Sequence, residues 1–413
     1  MDLALTDEQA MIRDAAADVL AERSASADVR RALEQSAGRD DTLWAALAGE
    51  LGWNALSLPE AAGGMGLGAV EQTMLMEQLG RRVACVPYFS TACLAATALA
   101  SCPDSPHATG WLAKIAEGAC SATLALPFEL PAGAGQLPVV AEEAAGGYAL
   151  SGTIEQVIDG ARADLLLIPA RIANEGQSIG LFAIDVATAP GLRITPLDTL
   201  DATRPIARIV LDEIRVNRDA LFAVGAVASQ VLERAGWFAA LALAAEQLGG
   251  AQQCLDLTLD YTGQRVQFGR AIASFQAVKH RCAQMMVLIE SARSAVLGAA
   301  HAWDAEAGGA VPGAALRGDV AAAKAAANDA YAFCAQEAIQ LHGGVGFTWE
   351  YDPHLYFKRA QASLAQFGST PQLLEWLARH AIDGDTSRRE AAPTSAPASM
   401  VTRASAARTG ALQ

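Results

Sequence analysis

YTGQRVQFGRAIASFQ, residues Tyr261 to Gln276, separates two long helical patterns, and its reading decides the fold. On propensity it is an interhelical loop, with Gly269 at a turn, Phe268 tucked inward and Arg265 a flanking surface charge. Downstream, Phe275, Val278, Cys282, Met285, Ile289 and Val296 recur at helical spacing along one face. Upstream, the nonpolar run Ala235 to Ala245 ends at Arg234 and Glu246, well short of the roughly 18 residues a membrane span requires.

Moving outward, a second long helix is expected over Asp319 to Leu341, stopped by the glycines at 343 and 344. Between Ala122 and Leu221 the texture changes to short aliphatic runs, Asp164 to Pro169, Gly180 to Val186 and Ile206 to Val216, divided by Gly, Pro and Asp. This spacing predicts a compact antiparallel domain. From Leu5 to about Gly118 the pattern is helical again, with Thr6 placed to cap a first helix through Ile12, Ala16 and Leu20. After Gly384 a Ser/Thr/Ala/Pro-rich stretch has no apolar face and is expected to be a disordered tail. The organisation predicted is 1–120 helical, 121–222 β, 223–383 helical and 384–413 tail.

Composition narrows the function. The chain has 413 residues, 52% of them hydrophobic, and 30 Lys plus Arg against 45 Asp plus Glu, a net charge of −15. So acidic a surface argues against a nucleic-acid partner. Seven cysteines without a CxxC pair suggest buried thiols, with neither a disulfide framework nor a zinc site, and no His/Asp/Glu spacing suggests metal catalysis. The acidic start Met1-Asp2-Leu3-Ala4-Leu5-Thr6-Asp7-Glu8 is unlike a signal peptide, so a soluble, cytoplasmic protein is expected.

Two short motifs invite a hydrolase reading. Gly176-Gln177-Ser178-Ile179-Gly180 fits a GxSxG elbow, and His342-Gly343-Gly344 an oxyanion loop. The elbow needs a helix after the serine, whereas Leu181-Phe182-Ala183-Ile184 reads as a strand, so a β-turn is the better account. Gly343 to Gly346 could cradle a phosphate but fits neither GxGxxG nor a Walker pattern.

The opening stretch, continued by Ala277-Val278-Lys279-His280-Arg281, resembles the Y..R.QFG.PI..FQ..KH signature of the acyl-CoA dehydrogenase family. Gln340-Leu341-His342-Gly343-Gly344-Val345-Gly346-Phe347 resembles the family's Q.hGG.Gf run, and Leu58-Pro59-Glu60 through Gly68 its PE..GG.G.G loop. The resemblance spans residues 1 to 383. It implies an α+β fold with an N-terminal helical domain, a central antiparallel β-barrel and a C-terminal four-helix bundle, assembled as a tetramer. It also implies FAD at a subunit interface, contacted by Arg265, Phe268 and Gln276, with Gln340, Gly343 and Gly344 at the adenosine diphosphate end. The implied reaction is α,β-dehydrogenation of an acyl-CoA thioester, with electrons passed to an electron-transfer flavoprotein.

The pattern breaks at three places. The family's usual base, a glutamate in Y-E-G-T, corresponds to Gly368 in Gln366-Phe367-Gly368-Ser369-Thr370. The T-E-P-G-x-G-S-D run is replaced by Leu126 to Gly133, and N-G-x-x-W-I-T-N-G by Ser151 to Gly160, without the aromatic or the hydroxyl that face the flavin ring in the same subunit. This asymmetry resembles the α2β2 acyl-CoA dehydrogenases in which one chain lacks the base, and such pairs often take bulky acyl chains such as steroid side chains. Glu246, at the end of an apolar helix, is a candidate relocated base, or else a carboxylate paired with a polar neighbour. Alternatives to the partner-dependent dehydrogenase are a self-sufficient homotetramer, a flavin monooxygenase on the same fold and a non-catalytic subunit.

Overall fold

The computed structural model describes residues 4–128, 137–173, 178–306 and 311–390, with the side chains of 383–390 left aside. Six helices open the chain: α1 (Asp7–Arg23), α2 (Ser26–Gln35), α3 (Asp41–Ala45), α4 (Ala69–Arg81), α5 (Ala96–Ala100) and α6 (Pro106–Ala116). α1 begins as the sequence suggests: Gln9 N–H donates to Thr6 Oγ1 at 3.2 Å, and Thr6 N–H to Gln9 Oε1 at 3.1 Å, a reciprocal cap that satisfies two otherwise orphaned donors.

The middle of the chain forms one mixed sheet from β1 (Ala122–Leu124), β2 (Val139–Ala144), β3 (Gly147–Ile158), β4 (Leu165–Ile172), β5 (Ile179–Asp185), β6 (Leu192–Leu197), β7 (Ile206–Asn217) and β8 (Leu221–Val224). The order is β6-β7-β3-β2-β4-β5-β8, with β1 also on β4. This corrects the antiparallel barrel expectation twice. β1 and β2 both pair β4 in parallel, and the sheet is open. Closure would need the outer strands to meet. Instead β6 pairs β7, β8 pairs β5, and after Val224 the chain turns directly into a helix.

That helix, α7 (Gly225–Gln264), is the axis of the C-terminal part. Residues Ala235 to Ala251 are buried all round it, which is why this stretch has no polar face. α8 (Gln276–Ala305) and α9 (Ala314–His342) pack beside it, and α10 (Pro353–Ser363) and α11 (Thr370–Glu390) follow. Of the expected tail, 384–390 continue α11 and 391–413 lie outside the described residues. α4 crosses α7 at two glycines: a Cβ on Gly80 would lie 2.0 Å from the Glu246 carbonyl oxygen, and one on Gly249 1.9 Å from that of Glu77. Backbones this close fix the depth and rotation of α7, and so the position of Glu246.

Candidate functional site

The opening stretch lies at one end of α7, α8 and α9. Arg265 caps α7. A two-residue hairpin follows, β9 (Val266–Gln267) against β10 (Arg270–Ala271), with Phe268 (φ 54°) and Gly269 (φ 75°) at its tip. Positive φ at both central positions is the primed turn that matches strand twist, and a phenylalanine rarely adopts it. The turn carries the Phe268 ring outward, 88% exposed, which corrects the inward placement expected from the sequence. Gln276 begins α8 and is exposed, as is Gln340 near the end of α9.

Gly343 ends α9 at φ 65°, and a Cβ on Gly343 or Gly344 would meet nothing within 4 Å. The loop is held from behind. His342 is buried, its Nδ1 lies 2.7 Å from the Ala338 carbonyl oxygen, and its ring stacks on Tyr261 at 4.4 Å. Burial pulls its pKa down, against that backbone contact, so the ring favours the neutral form. Arg265, Phe268, Gln276, Gln340, Gly343 and Gly344 therefore share one exposed end of the helices. A guanidinium, two side-chain amides and an open glycine backbone there suit a diphosphate.

Deeper in the molecule Glu246 occupies a buried charge network. Arg359 on α10 donates from Nη1 to Glu246 Oε1 (2.8 Å) and from Nε to Asp201 Oδ2 (2.6 Å). Arg204 pairs with the other Glu246 oxygen. Thr203 Oγ1 accepts from Arg359 Nη2 at 2.6 Å, and Ser90 Oγ donates to Asp159 Oδ2 at 2.6 Å. Burial alone would push the Glu246 carboxyl up, but Arg204 and Arg359 outweigh it and hold it below the ordinary carboxylate range. A general base needs the opposite shift. Beside it, Lys324 is fully buried with Nζ 2.5 Å from Asn328 Oδ1, and burial draws its pKa down to about 7 despite Glu246.

At Gly368, the position that the sequence reading sets against the family's usual base, the chain is closed. Phe367 has φ 54°, is fully buried, and packs between Phe89 (edge-on, 5.7 Å) and Phe128 (tilted, 5.8 Å). Gly368 follows at φ 103°, and its carbonyl accepts from Asn328 Nδ2 at 3.2 Å. A Cβ there would lie 2.7 Å from Leu373 Cδ2.

Val157 and Ile158 at the end of β3 are buried aliphatics, and Asp159 is engaged with Ser90. Of the Leu126 to Gly133 substitution only Leu126 to Phe128 lie among the described residues. Of the GxSxG match, Gly176 and Gln177 lie outside them, while Ser178 leads straight into β5, as a turn and not an elbow would.

The sequence reading missed Asp201, Thr203, Arg204, Lys324 and Arg359. One signal was available: Lys324 interrupts a run of six alanines, Ala321 to Ala327, where a lone cation must be buried and hydrogen-bonded. The described cysteines are all free thiols, six of them buried. No group of described residues could hold a metal ion, and no described helix is long and apolar enough to cross a membrane.

Fold and site together define a flavoprotein class, and comparison with known proteins agrees. Residues 6–119 match the acyl-CoA dehydrogenase N-terminal domain, and residues 233–382 the acyl-CoA dehydrogenase C-terminal domain. Acyl-CoA dehydrogenase IpdE2 of Mycobacterium tuberculosis (strain ATCC 25618 / H37Rv) is 32% identical over 371 residues, 90% of this chain and 96% of the relative. Among solved structures, one chain of the ChsE4-ChsE5 complex from Mycobacterium tuberculosis superposes with a TM-score of 0.81 at 28% identity, covering 92% of this chain and 99% of the other. A variant of the Tcur3481-Tcur3483 steroid ACAD gives 0.79 at 30% identity, covering 92% and 99%. The chain belongs to the acyl-CoA dehydrogenase family, whose members carry out FAD-dependent dehydrogenation of acyl-CoA thioesters.

Proposed function

We propose that this chain is the base-less member of a two-chain, α2β2 acyl-CoA dehydrogenase. The observation that carries this is Gly368, whose backbone at φ 103° and whose neighbour Leu373 leave no room for a side chain where the base belongs. FAD, when bound, accepts the hydride leaving Cβ of the acyl group. The α-proton requires a carboxylate, which the partner chain supplies. This chain's part is Arg265 on the diphosphate, Phe268 packed against the cofactor or the partner's sheet, and Gln276, Gln340, Gly343 and Gly344 supplying polar and backbone contacts.

Glu246 on this reading is a clamp. Its two arginines hold α7, α10 and the segment before β7 in register, and they leave it too weak a base for an α-proton. The four-helix bundle is α7, α8, α9 and α11, with α11 held by Trp376 against Trp237 of α7 at 5.3 Å. The likeness to a chain of the ChsE4-ChsE5 complex supports a second chain, and the likeness to a protein described as a steroid ACAD supports a bulky acyl group such as a steroid side chain. Electrons pass on to an electron-transfer flavoprotein.

The test is cofactor stoichiometry. Expressed alone the chain should be nearly colourless, and co-expressed with its partner it should give one FAD per heterodimer and oxidise an acyl-CoA. A yellow homotetramer with one FAD per chain and activity of its own would return the protein to the self-sufficient class.

A further inference from the structure

The chain is strongly acidic, yet four of its arginines converge on one cavity. Arg13 of α1, Arg81 and Arg82 at the end of α4, and Arg293 of α8 line a pocket of about 340 Å³. Arg293 lies 17 residues along α8 from Gln276, about 25 Å from the flavin-facing end. Glu77 is the one carboxylate in the lining, and it is engaged, its Oε1 2.5 Å from Arg293 Nη1. Arg81 pairs with Asp256 (2.6 Å) and Arg13 with its neighbour Asp14 (2.7 Å).

Two lining groups are unmatched. The Arg82 side chain makes no hydrogen bond or ion pair with any described residue. Gln78 is only 7% exposed, and its amide also has no partner among the described residues. Both groups line the open pocket with donors that no protein acceptor takes up, whereas Arg13, Arg81 and Arg293 are each paired with a carboxylate. An oxyanion in the pocket would accept from both.

The pocket continues into an apolar slot of about 270 Å³ that shares Arg13, Glu77 and Arg293 with it and is walled by Leu5, Met74, Leu248, Val296 and Leu297. We infer that the two together form a binding site for a small amphipathic anion, a carboxylate or phosphate ester head on a short aliphatic arm, separate from the flavin site. The head lies between Arg82, Arg13 and Gln78, and the arm lies in the slot between α1, α4 and α8.

The test is calorimetric titration of the full-length protein with octanoate and with octyl phosphate, and with inorganic phosphate, acetate and octanol as the separate halves. At least one amphipathic anion should bind, once per chain, with each half at least about tenfold weaker. The stronger of the two identifies the head as carboxylate or phosphate. Arg82→Gln should weaken binding about tenfold, and Gln78→Leu should weaken it as well. Should Arg82→Gln lose its fold by circular dichroism, Arg13→Gln, on the surface of α1, takes its place. Binding of neither anion, inorganic phosphate as tight as octyl phosphate, or a folded arginine variant that binds like the parent would each overturn the inference.

Discussion

Leu373 occupies the space that a side chain on Gly368 would need: its Cδ2 would lie 2.7 Å from a Cβ built there. On the proposed reading the missing base is a packed arrangement, in which Phe367, Phe89 and Leu373 have closed over the position.

Restoring the glutamate should accordingly fail. Gly368→Glu places a side chain on a backbone at φ 103° and drives Leu373 aside, at a cost of roughly 2 to 5 kcal/mol. Chemical denaturation should show that loss, and the variant expressed alone should gain no acyl-CoA oxidation. A stable, active Gly368→Glu homomer would contradict the packing argument.

Glu246→Gln leaves Arg204 and Arg359 buried with one carboxylate fewer between them. The expected loss is about 3 to 5 kcal/mol, as when one member of a buried ion pair is removed. Turnover per folded, FAD-loaded complex should be unchanged. Steady-state rates normalised to flavin absorbance separate the two effects, and full stability with abolished turnover would make Glu246 the base.

Arg265→Ala removes a charge-assisted contact worth roughly 1.5 to 3 kcal/mol. FAD should then leave the co-expressed complex about ten to a hundred times more readily. Fluorescence of released flavin measures this, and the melting temperature of this exposed variant should hold.

Lys324 gives a pH dependence with a definite sign. Its pKa is about 7 in the folded chain against 10.5 for an ordinary lysine, so between those values the unfolded chain binds the extra proton. Stability from this group rises with pH across that window, by at most about 1.4 kcal/mol per pH unit, and the full penalty is present below pH 7. Lys324→Met should therefore flatten the profile and gain most, relative to the parent, near neutral pH. Urea denaturation of both proteins at pH 7 and pH 9.5 decides it.

Local chemistry made much of this molecule legible. Thr6 and Gln9 mark the start of α1, and Gly343 the end of α9, because caps act within one turn. The hairpin around Phe268 and Gly269 stood out by its residues but was misjudged for burial, since a hydrophobic ring does not announce that its turn will face outward. The open sheet was not legible. Whether β6 and β8 meet depends on pairings between distant segments, and periodicity reports only which face of each strand is apolar. The network around Glu246 was hidden for the same reason: Asp201 and Arg204, Glu246, and Arg359 come from three separate stretches of the chain and look like ordinary charges until the fold brings them together.

The Phe268 turn has a consequence for the cell as well as the site. A ring held outward in a fixed turn stays adhesive until another surface covers it, and no described part of this chain folds over to do so. In the proposed assembly only the second chain shields it. Supply of the two chains must then be balanced, and any surplus of this one is a substrate for aggregation or for proteases. The amount of working enzyme is capped by whichever chain is scarcer, however tightly the two bind.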